Sequence, residues 1–228
     1  MEFQRARSAE QRLERRRQIL STAAAMLTEM PVAKLSLNEL SRRIGLAKSN
    51  VLRYFESREA VLLELLLAEM RDWIAEVERA TGPGGGTPRE RGDRLAQTLA
   101  ASLTRRPVLC DLLAAQAAVL EHNISTEVAV RHKHAAWQNT QTLIELVQRH
   151  LPELGTEGAA RLVETTVLTA MAAWPCSHPS EALQAAYDSD PALAPLRMDF
   201  TDLVRRTAEV TVWGLLARQE SASARPAS

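Results

Sequence analysis

LSLNELSRRIGLAKSNVLRYFESREAVLL, residues 35–63, decides the fold. It reads as two short helices joined by a tight turn, followed by the opening of a long third helix. Ser36-x-x-Glu39 matches a capping box, and Leu37, Leu40 and Ile44 recur at helical spacing. Gly45 stands where the first helix must end on a left-handed residue, a conformation glycine takes without a Cβ penalty. The second short helix is expected over 48–54, with Val51, Leu52 and Phe55 inward and Lys48, Ser49, Asn50 and Arg53 elsewhere. This is the helix-turn-helix layout, in which the second helix enters the DNA major groove.

The bulk numbers agree once they are divided. The chain has 228 residues, 46% of them apolar, enough for one large or two small domains with a sizeable core. Its formal net charge of zero argues against nucleic-acid binding. Residues 1–60, however, carry 12 Lys+Arg against 7 Asp+Glu, and the remainder carries 16 against 21. A basic head on an acidic body fits DNA contact at one end. Cys110 and Cys176 lie far apart without metal-ligand spacing, so a reduced cytoplasmic setting is expected and a metal is not. The opening MEFQRARSAEQRLERRR has no apolar segment of the secretory kind, and no run approaches a membrane span.

Apolar residues recur at i, i+3 and i+4 almost throughout, so the expected class is all-α, with nine or ten helices. Residues 1–9 read as a mobile arm, and helix 1 as 10–29 with Leu13, Ile19, Leu20, Ala23, Ala24 and Leu27 on one face. The helix-turn-helix pieces occupy 37–44 and 48–54. Ser57 caps a fourth helix running to about 80. The breaker TGPGGGTP at 81–88 reads as a flexible loop. Further helices are expected over 89–104, 107–120, 125–151, 156–173 (stopping before Pro175) and 200–218, the last being the ninth. SEALQAAYD, residues 180–188, reads as a possible short extra helix. The domains are expected as 1–56, arm and reader; 57–220, a helical regulatory part with the fourth helix packing on both; and 221–228, a disordered tail.

Ile19-Leu20-x-x-Ala23, Leu37-x-x-Leu40-x-x-x-Ile44-Gly45-Leu46, Lys48-x-x-Val51-x-x-Tyr54-Phe55 and Ser57-Arg58-x-x-Val61-Leu62 together resemble the tetracycline-repressor (TetR-type) family. The likeness covers about residues 10–70; beyond that only helicity and length agree. It implies a homodimer with one DNA reader per subunit. The eighth and ninth expected helices of two subunits would form a four-helix interface. A small molecule inside the C-terminal part would change the spacing of the readers and release an operator.

Within the reader, Lys48 suits a phosphate or guanine O6/N7, and the amide of Asn50 suits bidentate pairing with adenine. Ser49 lets the helix approach closely, and Arg53 suits guanine or backbone. Ser36 serves as both cap and phosphate donor. The resemblance places Asn38 at a position that reads bases in some members, and Tyr54 and Arg58 at phosphate-contact positions. Tyr54 also fits, as the lesser reading, a cover for the reader core. Arg42 and Arg43 read as a solvated face. Arg5, Arg7 and Arg12 suit either a minor-groove arm or a solvated tail.

In the regulatory part, Trp73, Cys110, Gln116, Trp137, Gln141, Thr166, Met171 and Trp174 are candidates for lining a largely hydrophobic effector pocket, although each also fits a plain core. Glu121, His122 and Asn123 sit at a helix junction, as caps or as a polar cluster beside that pocket. His132 and His134 are about 200° apart on a helix, which disfavours a shared metal. Leu162, Val163, Val167, Leu168 and Ala170, with Leu203, Val204, Val210, Val212, Trp213, Leu215 and Leu216, give the dimer helices wide apolar faces. No nucleophile elbow, phosphate loop or dinucleotide fingerprint is present, which disfavours an enzyme and a cofactor. The expectation is a ligand-released repressor acting on double-stranded operator DNA; a reader without a ligand, or an activator, fits the same residues.

Overall fold

Helix starts are written into the chain as hydroxyl caps. Ser36, Ser57, Thr87, Ser125 and Ser180 each accept the backbone N–H three residues on, satisfying one of the donors every helix start leaves free. Thr87 and Glu90 complete a reciprocal capping box beside Pro88. The computed structural model describes the backbone of residues 2–82 and 84–223 and the side chains of residues 10–82 and 84–221. Among these there are ten α-helices and no strand: α1 (Glu2–Leu27), α2 (Leu37–Ile44), α3 (Lys48–Val51), α4 (Arg58–Ala80), α5 (Pro88–Thr104), α6 (Pro107–Ala115), α7 (Thr126–His150), α8 (Gly155–Ser177), α9 (Glu181–Ser189) and α10 (Phe200–Ser223). A 3-10 turn, Val32–Lys34, precedes α2, and a π-helical turn, Gln116–Leu120, extends α6.

Several boundaries differ from expectation. Residues 2–9 continue α1 instead of forming an arm, because Glu2 to Arg17 contains neither Gly nor Pro and is rich in helix formers. The side chains of Arg5 and Arg7 lie outside the described residues. Leu13 is exposed rather than buried. α3 ends at Val51, and Leu52 is 42% exposed, so of the two adjacent apolar residues only Val51 enters the core. α8 passes through Pro175, which sits in the last turn where few bonds remain to be lost. The last helix continues to Ser223; the rest of the expected tail lies outside the described residues. The segment 180–188 does form a helix, which makes the last helix the tenth.

α1, α2 and α3 close on Ile19, Met26, Leu35, Leu40, Val51 and Phe55, all buried. α4 packs against α1 at its start and against α5, α6 and α7 further along, so one helix belongs to both cores. α10 lies between α5 and α8. Gly92 of α5 is the close-approach point: a Cβ there would overlap Val212 Cγ1 of α10. Alanine gains about 1 kcal/mol in helix propensity, whereas overpacking costs about 1–3 kcal/mol. Gly92→Ala is therefore expected to lower unfolding free energy by up to about 2 kcal/mol. Adding Val212→Ala should leave the double variant more stable than the summed single costs imply, as read by denaturant unfolding.

Candidate functional site

The reader is a polar surface on a fixed frame. Ser36 Oγ accepts Glu39 N–H at 3.2 Å, and hydrogen bonds from Arg42 and Arg43 hold the Glu39 carboxyl down to about 2. Gly45 closes α2 at φ 73°, and its N–H returns to the carbonyls of Ser41 and Arg42. That turn sets α3 across α2 with Lys48, Ser49 and Arg53 exposed and Asn50 half-exposed. Asn38 is exposed on α2. Leu52 was read as core, but it follows Lys48 by one turn on the exposed side. An apolar group there suits a thymine methyl.

Tyr54 is half-buried beside the reader core. Arg58 is directed inward: its guanidinium donates to the Val32 carbonyl and to Glu59 at 3.1 Å. Its Nε is buried without a protein partner. The resemblance places a phosphate contact at Arg58; in this structure the side chain holds the 3-10 turn onto α4.

Three side chains tie reader to regulatory helices, and sequence pattern alone signalled none of them. Asp111 of α6 accepts the Val32 N–H at 2.6 Å, so this residue is gripped by α6 at its N–H and by α4 at its carbonyl. Glu56, between α3 and α4, accepts the N–H and hydroxyl of Ser125 at 2.6 and 2.7 Å. Those bonds hold its carboxyl below the usual range. Arg16 of α1 donates to the Tyr54 carbonyl and to Glu64 while its guanidinium lies 4.2 Å from the Phe55 ring centre.

Beyond these ties lies a chamber of about 160 Å³ between α4, α6, α7 and α8, walled by Leu66, Met70, Leu113, Leu143, Val163 and Val167. Its polar groups are Gln116, His132, Asn139 and Thr140. A cleft of about 480 Å³ at the reader joint, bordered by Tyr54, Arg71 and Arg131, shares Leu67 and His132 with it. A larger groove of about 620 Å³ runs past Thr81, Gly82, Gly84, His150 and Glu209, with charged walls and none of the candidate effector residues.

Of the eight candidate effector residues, only Gln116 lines the chamber. Trp73 is fully buried and donates to Ser102 Oγ at 2.8 Å. Cys110 is buried against the Leu103 carbonyl at 3.4 Å, and burial, then Asp111, push its thiol up to about 12. Thr166 bonds the Leu162 carbonyl at 2.8 Å, and Trp174 packs over His178 and meets Phe200 edge-on. Gln141 and Met171 are half-buried away from the chamber. Trp137 is 62% exposed on α7. His132 also lines the chamber. The signal was present in the stripe Val128, His132, Ala136, Asn139 and Leu143, one face of a helix carrying two polar residues.

Glu121 accepts from Gln116 and Lys133 at 2.7 and 2.8 Å, while His122 and Asn123 are exposed. His132 is buried and His134 exposed, as their spacing requires. Among the described residues no group of His, Cys, Asp and Glu is placed to hold a metal, and no helix is long and apolar enough to cross a membrane.

Comparison with known proteins agrees with this architecture. The chain spans 86–89% of its length against three solved structures, each matched over 97–98%. They are a TetR transcriptional regulator from Rhodococcus sp. RHA1 (15% identity, TM-score 0.55), a TetR/AcrR-family regulator from Thermobifida fusca (20%, 0.52) and FadR of Bacillus subtilis in complex with stearoyl-CoA (15%, 0.54). At these identities the likeness is one of fold. No curated protein sequence matches. Family models match in two adjoining spans that meet inside α4: bacterial regulatory proteins, tetR family, over residues 19–65, and the tetracyclin repressor-like C-terminal domain over 67–219. The chain therefore belongs to the TetR family and is a transcriptional regulator with an N-terminal helix-turn-helix DNA-binding domain.

Proposed function

We propose that this regulator is a homodimeric repressor that binds a pseudo-palindromic operator and is released by a small, largely hydrophobic effector. The observation that carries the reading is the pair of carboxylate ties from Asp111 and Glu56, because they fasten the reader to α6 and to the start of α7, two helices that wall the chamber. A ligand opposes DNA binding only through different affinities for two arrangements of the dimer. A chamber wall fastened to the reader provides a direct route for that difference. The apolar walls favour a hydrophobic ligand, in keeping with a fold neighbour whose structure holds stearoyl-CoA. The division between reader and regulatory part is placed at residues 56–57, with α4 shared.

On the DNA side, Lys48 and Asn50 are assigned to base edges, with Arg53 reading guanine or gripping backbone. Ser36, Asn38, Ser49 and Tyr54 lie along the approach to the phosphates. Selection of bound fragments from genomic DNA, followed by anisotropy titration, tests the reading. Asn50→Ala is expected to cost about 1–3 kcal/mol and to relax preference at one operator position. An unchanged preference across operator variants would remove Asn50 from the base-reading set. Screening metabolites for release of the selected fragment then tests the effector half.

A further inference from the structure

Among the described residues, two buried side-chain nitrogens lack a hydrogen-bond partner: Arg58 Nε and His132 Nδ1. The second is carried by a residue that lines both the inner chamber and the outer cleft and is only 3% exposed. Its protonation follows from its neighbours. Burial alone would raise the Glu121 carboxyl, but hydrogen bonds from Lys133 and Gln116 outweigh it and keep the group ionised and acceptor-only. Gln116 must therefore present its NH₂ to Glu121, at 2.7 Å. That same nitrogen lies 3.4 Å from His132 Nε2, so Nε2 accepts its other hydrogen. Burial and the neighbouring Lys133 keep the imidazole below its ordinary value, against the pull of Glu121. A neutral ring that accepts at Nε2 carries its proton on Nδ1.

Nδ1–H is thus a buried donor without an acceptor, a condition folded proteins seldom leave uncorrected. The donors of the other polar groups of the chamber are committed to protein acceptors. Asn139 Nδ2 donates to the Leu67 carbonyl at 3.2 Å, and Thr140 Oγ1 to the Ala136 carbonyl at 3.0 Å. A donor without a partner beside apolar walls suits a ligand that is mostly apolar and carries an acceptor.

We propose that the effector is an apolar molecule bearing an acceptor oxygen, ketone or carboxylate, whose apolar part fills the inner chamber and whose oxygen accepts the Nδ1 proton of His132. This rests on the ligand-responsive reading above. At Nδ1 an ammonium head would set donor against donor. Occupation of Nδ1 also fixes the histidine end of the Gln116–Glu121 chain, which spans the π-helical turn after α6.

The test uses the full-length protein with sodium octanoate, 2-octanone and octylammonium chloride, read by thermal shift and calorimetry. Octanoate or 2-octanone is expected to raise Tm by mass action, and octylammonium is not; the two oxygen probes separate a charged acceptor from a neutral one. His132→Phe, which keeps the ring but removes the donor, should weaken the oxygen probe by about tenfold or more. His132→Gln, which retains an N–H, should recover part of that loss. Equal binding of octylammonium, undiminished binding to His132→Phe, or binding of none of the three probes overturns the assignment. Operator release by a compound that His132→Phe binds as well as the native chain overturns it too, and leaves ligand response standing. An oxygen probe held by His132 that never alters operator affinity keeps the assignment and overturns ligand response.

Discussion

Leu168→Glu combined with Val210→Glu should turn the protein into a monomer and reduce operator affinity by about 10²–10⁴-fold. Both residues are large, apolar and solvent-facing, at 56% and 63% exposed, on two helices that pack side by side. They do not stand alone. Along α10, Val210, Gly214 and Ala217 are exposed at helical spacing, and along α8 Glu164, Leu168 and Ala172 repeat every fourth residue. Small residues among the large ones let a second pair of helices approach closely, as bundle packing needs. Covering Leu168 and Val210 is worth about 1.5–3 kcal/mol each. A carboxylate at either site must shed its hydration without a partner, so the dimer loses both the burial and the register. Two readers on one palindrome bind as a tethered pair, and a monomer forfeits the effective concentration of the second. Sedimentation velocity reports the mass and anisotropy the affinity. A double variant that remains dimeric and binds operator normally would move the interface away from α8 and α10.

The second large effect concerns communication. Asp111→Ala with Glu56→Ala removes both carboxylate ties while leaving every chamber wall residue in place. The variant should bind the releasing compound with nearly native Kd, yet that compound should no longer change operator affinity. The expected loss is the coupling itself, about 5–150-fold in most allosteric proteins. Freeing the Val32 N–H costs about 1–3 kcal/mol if it stays buried, so the melting curve must be followed alongside. A double variant still released with full native amplitude would assign transmission to the packing of α4 alone.

Much of the fold was legible because its punctuation is local. Ser36, Gly45 and Ser57 each act on backbone groups within three residues or so, which is why the helix-turn-helix and the start of α4 appear where the sequence puts them. Errors arose where neighbours decide. Val51 and Leu52 are both apolar and adjacent, and nothing local says which one meets the core. Pro175 breaks a helix interior but is tolerated in a final turn. The π-helical turn at Gln116 inserts itself into an apolar run that scans as plain helix. Around the chamber, residue size was a poor guide. Trp73 donates to Ser102 and Trp174 packs edge-on against Phe200, partners 29 and 26 residues away in sequence that hold both rings in the core. His132 was visible as a polar residue in an apolar stripe, but its missing partner is a property of three helices together. Asp111, Glu56 and Arg16 join segments 79, 69 and 48 residues apart, beyond the reach of any periodicity.

The α5–α10 contact has a meaning for biosynthesis. Asp93 accepts from the indole of Trp213 at 2.7 Å across 120 residues of chain. A ribosome adds about 5–20 residues per second, so α5 waits roughly 6–24 s before its partner is made. The reader, whose own contacts close within the first third of the chain, can settle early. Gly92, Leu95 and Leu99 meanwhile stand as an uncovered strip on a nascent chain. Chaperone capture during translation should concentrate on that interval, and truncations ending before α10 should aggregate even where their reader is folded.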